Sequence, residues 1–285
     1  MNGTLTKVST NKQYTKYSYT YGGKKYSDIH VFTTLGKNSQ SIAPAVSSTK
    51  KALYNMEPVC CESADIIAKI NACMHSYKED KFFGFFYQGE GYPMYIDGTR
   101  YDEVPASSNM YWETKYWPCL CVKKDGTASI RWFANKARVD GALPHCKCII
   151  SGVHAIVFNS SCVFNERVYD NETENSMLLY DPDKTAQPST VRFNSNIGTP
   201  TTACVRTLVG HKAGNAGIYF LVSTDCGMTV KTAANFMQDL GCDFAMNMDG
   251  NSPVQMRIKA GYGPSGKVTA GAGTTLHTAI CAHLV

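Results

Sequence analysis

Between Gly227 and Met256 the chain reads GMTVKTAANFMQDLGCDFAMNMDGNSPVQM, and its hydrophobic period changes twice within this stretch. Val230, Ala233, Ala234, Met237 and Leu240 recur at helical spacing, which predicts a helix over 230–240 with Thr229 as its N-cap and Gly241 as its stop. Phe244 to Met248 reads as a short buried strand, and Asp249 opens a turn. A helix, a buried strand and an abrupt polar turn in immediate succession demand a sheet for the strand to join. Strand side chains repeat every two residues, so Asn247 and Asp249 are expected on one side of that sheet. The amides of Gly250, Asn251 and Ser252 can then form a concave nest for an anion. Without a ligand, the same residues make an Asp-Gly turn capped by asparagine.

Upstream segments point to more strands. Residues 1–50 are rich in Thr, Ser, Lys and Tyr, and the alternation around Tyr14 to Tyr19 before Gly22-Gly23 predicts a β-hairpin leading into the core. Ser63 to Ile70 fits a short capped helix or a strand entry, and Phe82 to Tyr87 a buried strand with close backbone approach at Gly84. Asp125-Gly126 marks a hairpin between two strands spanning Cys119 to Trp132, and Cys148 to Phe158 reads as one apolar strand. Residues 159–200 form a polar surface excursion that could cover a site. Val205 to His211 and Gly217 to Val222 make a second hairpin. No repeat or linker divides the chain, so the expectation is a single domain over 1–285, with an N-terminal β extension over 1–60. Its fold class is α+β, a mixed or antiparallel β-sheet core with a few packed helices.

Composition narrows the function classes. A net charge of +5 carried by scattered Lys and Arg, with short doublets such as Lys50-Lys51 and Lys123-Lys124 instead of a stripe, argues against binding extended nucleic acid. No run approaches the length of a membrane span. The 12 cysteines would suggest disulfides in a small secreted protein, but the chain is long and opens MNGTLTKVSTNK, without an apolar signal segment. Reduced thiols and a cytoplasmic setting are therefore expected. Cys119 and Cys121 should share one strand face, and so should Cys146 and Cys148, as core residues and not as zinc ligands.

The succession Arg206-Thr207, Gly227-Met228-Thr229, helix, Leu240-Gly241 and Asn247-Met-Asp249-Gly250 resembles the phosphodiester glycosidase family, which carries an R-T strand, a G-M-T-L helix start and an N-L-D-G-G-G-S turn in that order. Ile70-Asn71-Ala-Cys-Met74 resembles its A-x-N-G-x-F element, and Gly91 through Asp97-Gly98 the glycine and turn after it. The resemblance implies hydrolysis of a sugar joined through its anomeric carbon to a phosphodiester. It places Arg206 on the phosphate with Thr207 beside it, Asp249 as base or nucleophile, and Asn71 and Asn247 on sugar hydroxyls or phosphate. Gly250, Asn251 and Ser252 become the anion nest. Read without the resemblance, Arg206 is a surface strand charge and Asn71 a turn cap. Asn251-Ser252-Pro253 replaces two glycines and the serine of the family turn, Thr232 stands where the family helix usually has Glu, and an Arg before the last strand is missing.

Asp225 is a candidate second carboxylate, and His211 and His154 are candidate acid/base groups whose alternative is a structural place. No cofactor is required. A divalent cation could use Asp225, Asp249 and turn carbonyls, although no dedicated calcium loop is present. The expected ligand is a small phosphorylated sugar or a nucleotide, acted on in the cytoplasm. Such a chain could belong to a bacteriophage or its host and degrade a nucleotide immune messenger as an anti-defence enzyme. The alternative is an inactive sponge that sequesters the same ligand, or a structural domain that does neither.

Overall fold

The computed structural model describes residues 2–36, 38–51, 66–72, 75–78, 81–84, 94–101, 117–133, 136–162, 175–177, 191–193, 202–214, 217–248, 250, 253–269 and 276–285. In chain order the strands are β1 (Thr4–Asn11), β2 (Tyr14–Tyr21), β3 (Lys24–Thr33), β4 (Gln40–Lys51), β5 (Ile66–Asn71), β6 (His75–Lys78), β7 (Lys81–Gly84), β8 (Met94–Ile96), β9 (Thr99–Arg100), β10 (Trp117–Lys123) and β11 (Ala128–Phe133). Helix α1 (Lys136–Ala142) precedes β12 (Cys146–Ser151), β13 (His154–Phe158), β14 (Ser161–Cys162), β15 (Asn175–Met177), β16 (Val191–Phe193), β17 (Thr207–Lys212) and β18 (Ile218–Thr224). Helix α2 (Val230–Asp239) is followed by β19 (Phe244–Asn247), β20 (Met256–Ile258), β21 (Gly266–Lys267) and β22 (Leu276–Leu284).

Three larger sheets hold the fold. The main one runs β1-β2-β3-β18-β17-β19-β13-β14, the second β21-β20-β5-β22-β4, and the third β11-β10-β12-β8-β9. All strand ladders among the described residues are antiparallel, as in an α+β fold dominated by sheet. The first residues are woven into this architecture: β3 pairs with β18 in the main sheet, and β4 pairs with β22 in the second. Gly22 and Gly23 turn β2 into β3 at φ 58 and 76, the left-handed region that favours glycine. Ile66–Asn71 is a strand, not a helix, and residues 85–87 of the aromatic run lie outside the described residues.

The main sheet separates two cores. Phe32, Leu221, Val209 and Met246 on one face pack with Ile70 of β5, Ile280 of β22 and Leu120 of β10, so all three sheets contribute. Val31, Val222, Leu208 and Ala245 on the other face pack with Ala233, Ala234, Phe236 and Met237 of α2. Helix α2 forms as its spacing requires: Thr229 accepts the Thr232 N–H at 3.2 Å, and Gly241 follows at φ 95.

Two expectations change. The apolar run 148–158 is two strands, because the chain leaves the third sheet at Gly152-Val153 and enters the main one. A Cβ at Gly152 would lie 2.9 Å from Asn247 O, so this crossing requires glycine. Cys146 and Cys148 do not share a face. A register shift at Val122/Lys123 sends Cys148 into the core of all three sheets and Cys146 beside Cys119 and Cys121. The described cysteines are free thiols. A hydrogen bond with Cys146, together with burial, raises the Cys121 pKa, while that same hydrogen bond lowers that of Cys146.

Candidate functional site

The N-terminal tip of β17 meets the C-terminal ends of β18, β19 and β5, and most of the candidate polar residues lie there. Leu208 pairs with Val222 and with Asn247, so Asn247 shares the α2 side of the main sheet. Arg206, two residues before Leu208, lies on that side as well. Diagonal cross-strand neighbours of this kind sit roughly 7–8 Å apart.

Arg206 is 1% exposed, which rules out the surface-charge reading. Its Nε donates to Met228 O at 3.0 Å and its Nη2 to Thr202 O at 2.9 Å, so carbonyls before α2 fix the guanidinium's direction. Its backbone N–H donates to Thr224 Oγ1 at 2.8 Å, and its carbonyl accepts the Thr224 N–H at 2.9 Å. Gly250 abuts this strand: a Cβ there would lie 2.8 Å from Val205 O, which makes the position intolerant of any side chain.

Asn247 Nδ2 lies 3.2 Å from His154 Nδ1. Both residues are buried, and Asn247 Oδ1 has no hydrogen-bond partner among the described residues. Turning the amide over would give Oδ1 to the histidine and leave Nδ2 alone instead. In either orientation one buried polar atom lacks a partner, at a cost of ~1–3 kcal/mol.

Thr207 and Asn71 occupy the opposite face. Asn71 Oδ1 accepts the Thr207 hydroxyl at 2.5 Å and the Gln255 N–H at 3.0 Å. A backbone N–H can only donate, so the acceptor must be the amide oxygen and the threonine hydroxyl must be the other donor. Thr207, fully buried, therefore orients Asn71, and the two bonds tie β17, β5 and the segment after Pro253 together. Asn71 is thus more than a turn cap: it closes the second sheet onto the first.

Asp225 follows β18 at the same end and is bound through Oδ2 to His30 Nε2 at 3.0 Å. His211 is not brought together with these residues. Four residues along β17 from Thr207, it lies roughly 13 Å away at strand rise. Its ring stacks on Tyr219 at 4.9 Å and on Phe244 at 6.3 Å, and burial holds its pKa below 6.5, with Asp243 partly opposing. Asp249, Asn251 and Ser252 lie outside the described residues. Among the described residues there is no group of three or more His, Cys, Asp or Glu that could hold a metal ion, and no helix is long and apolar enough to cross a membrane.

The model of the phosphodiester glycosidase family matches residues 88–282, more than half of the sequence. The chain belongs to the phosphodiester glycosidase family. Among solved structures it is similar in fold to the zebrafish N-acetylglucosamine-1-phosphodiester alpha-N-acetylglucosaminidase catalytic domain auto-inhibited by its pro-peptide, with a TM-score of 0.56 and 14% identity over 99% of this chain and 82% of that one. A hypothetical protein from Synechocystis matches with a TM-score of 0.52 and 11% identity, over 99% of this chain and 64% of the other. No curated protein matches the sequence. Of the three glycines in the family turn, the one kept here is Gly250, the position that Val205 O leaves no room to substitute.

His30 and Tyr14 were not legible as site neighbours. They stand in a Thr/Ser/Lys/Tyr-rich stretch that reads as a β-hairpin leading into the core, and the partner of His30 is 195 residues away.

Proposed function

We propose that the chain hydrolyses the bond between the anomeric carbon of a sugar and a phosphodiester, at the tip of β17. The ligand is a small phosphorylated sugar or a related nucleotide. Arg206 directs buried positive charge at the phosphate, and the amides from Gly250 onward add donors to it. Asp249, between Met248 and Gly250, supplies the carboxylate at the anomeric carbon, as nucleophile or base. Asn247 orients the sugar, and Asn71, held by Thr207, supports the turn from the other face.

The observation that carries this reading is the partnerless buried amide atom of Asn247, on the same sheet face as Arg206. A fold that leaves a buried polar atom unsatisfied at the end of a strand, next to a fixed guanidinium, has a place for a ligand group to complete it. Membership of the family supports the reaction class.

The test is a panel: the methyl diester of N-acetylglucosamine 1-phosphate, UDP-N-acetylglucosamine and ADP-glucose, each incubated with the protein and resolved by chromatography. Free sugar from at least one of them, absent with Asp249→Asn, is expected. A second reading, a binding protein without turnover, is favoured by Asn251-Ser252-Pro253 in place of the family's small residues. It predicts that ligand released by heat denaturation is intact, and that outcome overturns hydrolysis.

A further inference from the structure

Beside these residues, one polar chain crosses the main sheet. Tyr14 Oη lies 2.8 Å from His30 Nδ1, and His30 Nε2 lies 3.0 Å from Asp225 Oδ2. Tyr14 and His30 are buried, whereas the Asp225 side chain keeps 21% exposure. Burial holds the His30 pKa below its ordinary value, with Asp225 partly opposing, and burial holds the Tyr14 phenol above its own. Near neutral pH the ring is uncharged and the phenol keeps its proton. The Tyr14 hydroxyl then donates to Nδ1, the ring proton sits on Nε2, and Nε2–H donates to the carboxylate. Each member fixes the direction of the next.

The chain leads to the tip of β17. His30 pairs with Ser223 and Ser223 with Thr207, so the ring shares the sheet face that carries the Thr207 to Asn71 bond. Ser223 Oγ donates to Gln255 O at 3.3 Å, on the residue whose N–H binds Asn71. Asp225 directly follows Thr224, which exchanges two hydrogen bonds with the Arg206 backbone. Arg206, Thr207, Asn71 and Asn247 are each at most 1% exposed, so Asp225 is the member of this group that solvent reaches most readily.

We propose that Asp225 is the proton-accepting carboxylate of the site, and that His30 and Tyr14 are positioning residues that aim it. The inference rests on the hydrolytic reading above. In the step assigned to Asp225, a water O–H bond breaks and its proton passes to the carboxylate. The water oxygen bonds to the anomeric carbon. The bond from that carbon to its oxygen substituent breaks, and the departing group takes the electron pair. A departing phosphate is already a stable anion, so the reaction needs a base at the water more than an acid at the leaving group. With the base role at Asp225, Asp249 is left to stabilise the positive charge that develops at the anomeric carbon.

The test compares wild type with Asp225→Ala, Asp225→Asn, His30→Phe, His30→Gln and Tyr14→Phe on whichever panel diester wild type cleaves. Asp225→Ala should lower kcat about a hundredfold with KM little changed, and added formate should restore at least about tenfold of it by acting as an external base. His30→Gln, which still offers an N–H, should keep more activity than His30→Phe, and Tyr14→Phe should lose least. Melting curves accompany each variant. If Asp225→Ala fails to fold, the isosteric Asp225→Asn takes its place and must be inactive while melting like wild type. A folded Asp225 variant with kcat near wild type, or a folded Asp225→Ala that formate does not rescue, overturns the inference and leaves the hydrolytic reading standing. A wild-type protein that cleaves nothing in the panel overturns both.

Discussion

At its first residues β17 runs among Arg206, Asn247, Asn71 and Gly250; at its last it carries His211, stacked between Tyr219 and Phe244. Both tips bury polar groups, and each contains a buried atom without a hydrogen-bond partner among the described residues: Asn247 Oδ1 at one end and His211 Nδ1 at the other. The surroundings decide what that means. On the face of Asn247 stands a fixed guanidinium, and at the same tip lie a glycine that brings backbone close and, on the opposite face, an oriented carboxamide. Around His211 stand two aromatic rings, which bury an imidazole kept neutral by desolvation. An orphaned polar atom points to function where other directed polar groups converge with it, and to a tolerated packing cost where rings surround it.

Substitutions at the two tips would break this contrast if they behaved alike. The largest effect is expected for Arg206→Lys, a loss of about a thousandfold in sugar release, because an ammonium cannot reproduce the guanidinium's directed donors to Met228 O and Thr202 O. Asn247→Ala should cost about a hundredfold in activity, yet only ~1 kcal/mol in unfolding free energy, since one of its polar atoms makes no bond to lose. Asn71→Ala reverses that balance. It leaves the Thr207 hydroxyl and the Gln255 N–H without their shared acceptor, so a denaturant melt should show ~2 kcal/mol lost against about a tenfold activity loss.

The smallest effect belongs to the other tip. His211→Phe keeps an aromatic ring against Tyr219 and Phe244, so activity should stay near wild type and stability should change by less than ~1 kcal/mol. Its signature is in pH. The folded pKa of His211 lies below 6.5, so its contribution to stability is complete above pH 6.5 and is lost as pH falls through the folded value. His30, also held below its ordinary value, acts in the same direction. Wild type should therefore lose stability on acidification below pH 6.5, and His211→Phe should lose less, leaving the His30 share. Thermal melts across that range measure both.

What could be read in the sequence followed locality. Thr229, the helical spacing of α2 and Gly241 act within a few residues, and the helix lies where they put it. Asp125-Gly126 likewise turns β10 into β11. The break at Gly152 was hidden because apolar residues continue on both sides, and only the approach of Asn247 O makes the glycine necessary. The bulge that parts Cys146 from Cys148 leaves no mark in their one-residue spacing. The family motif pointed to Arg206, Asn71 and Asn247 as candidates, but not to the groups that hold them. The carbonyls that aim Arg206 are anonymous in sequence, and His30 reaches Asp225 only after β3 and β18 pair. His211 drew notice for its residue type, and its aromatic surroundings became visible only with the β17 to β19 register.

The most direct test of the contrast is sugar release from the methyl diester of N-acetylglucosamine 1-phosphate, measured in parallel for wild type, Asn247→Ala and His211→Phe. The expected result is turnover by wild type and His211→Phe at closely similar rates, with Asn247→Ala about a hundredfold slower while still folded. Equal turnover by Asn247→Ala and wild type, or loss of turnover confined to His211→Phe, would contradict the placement of the site at the Arg206 end of β17.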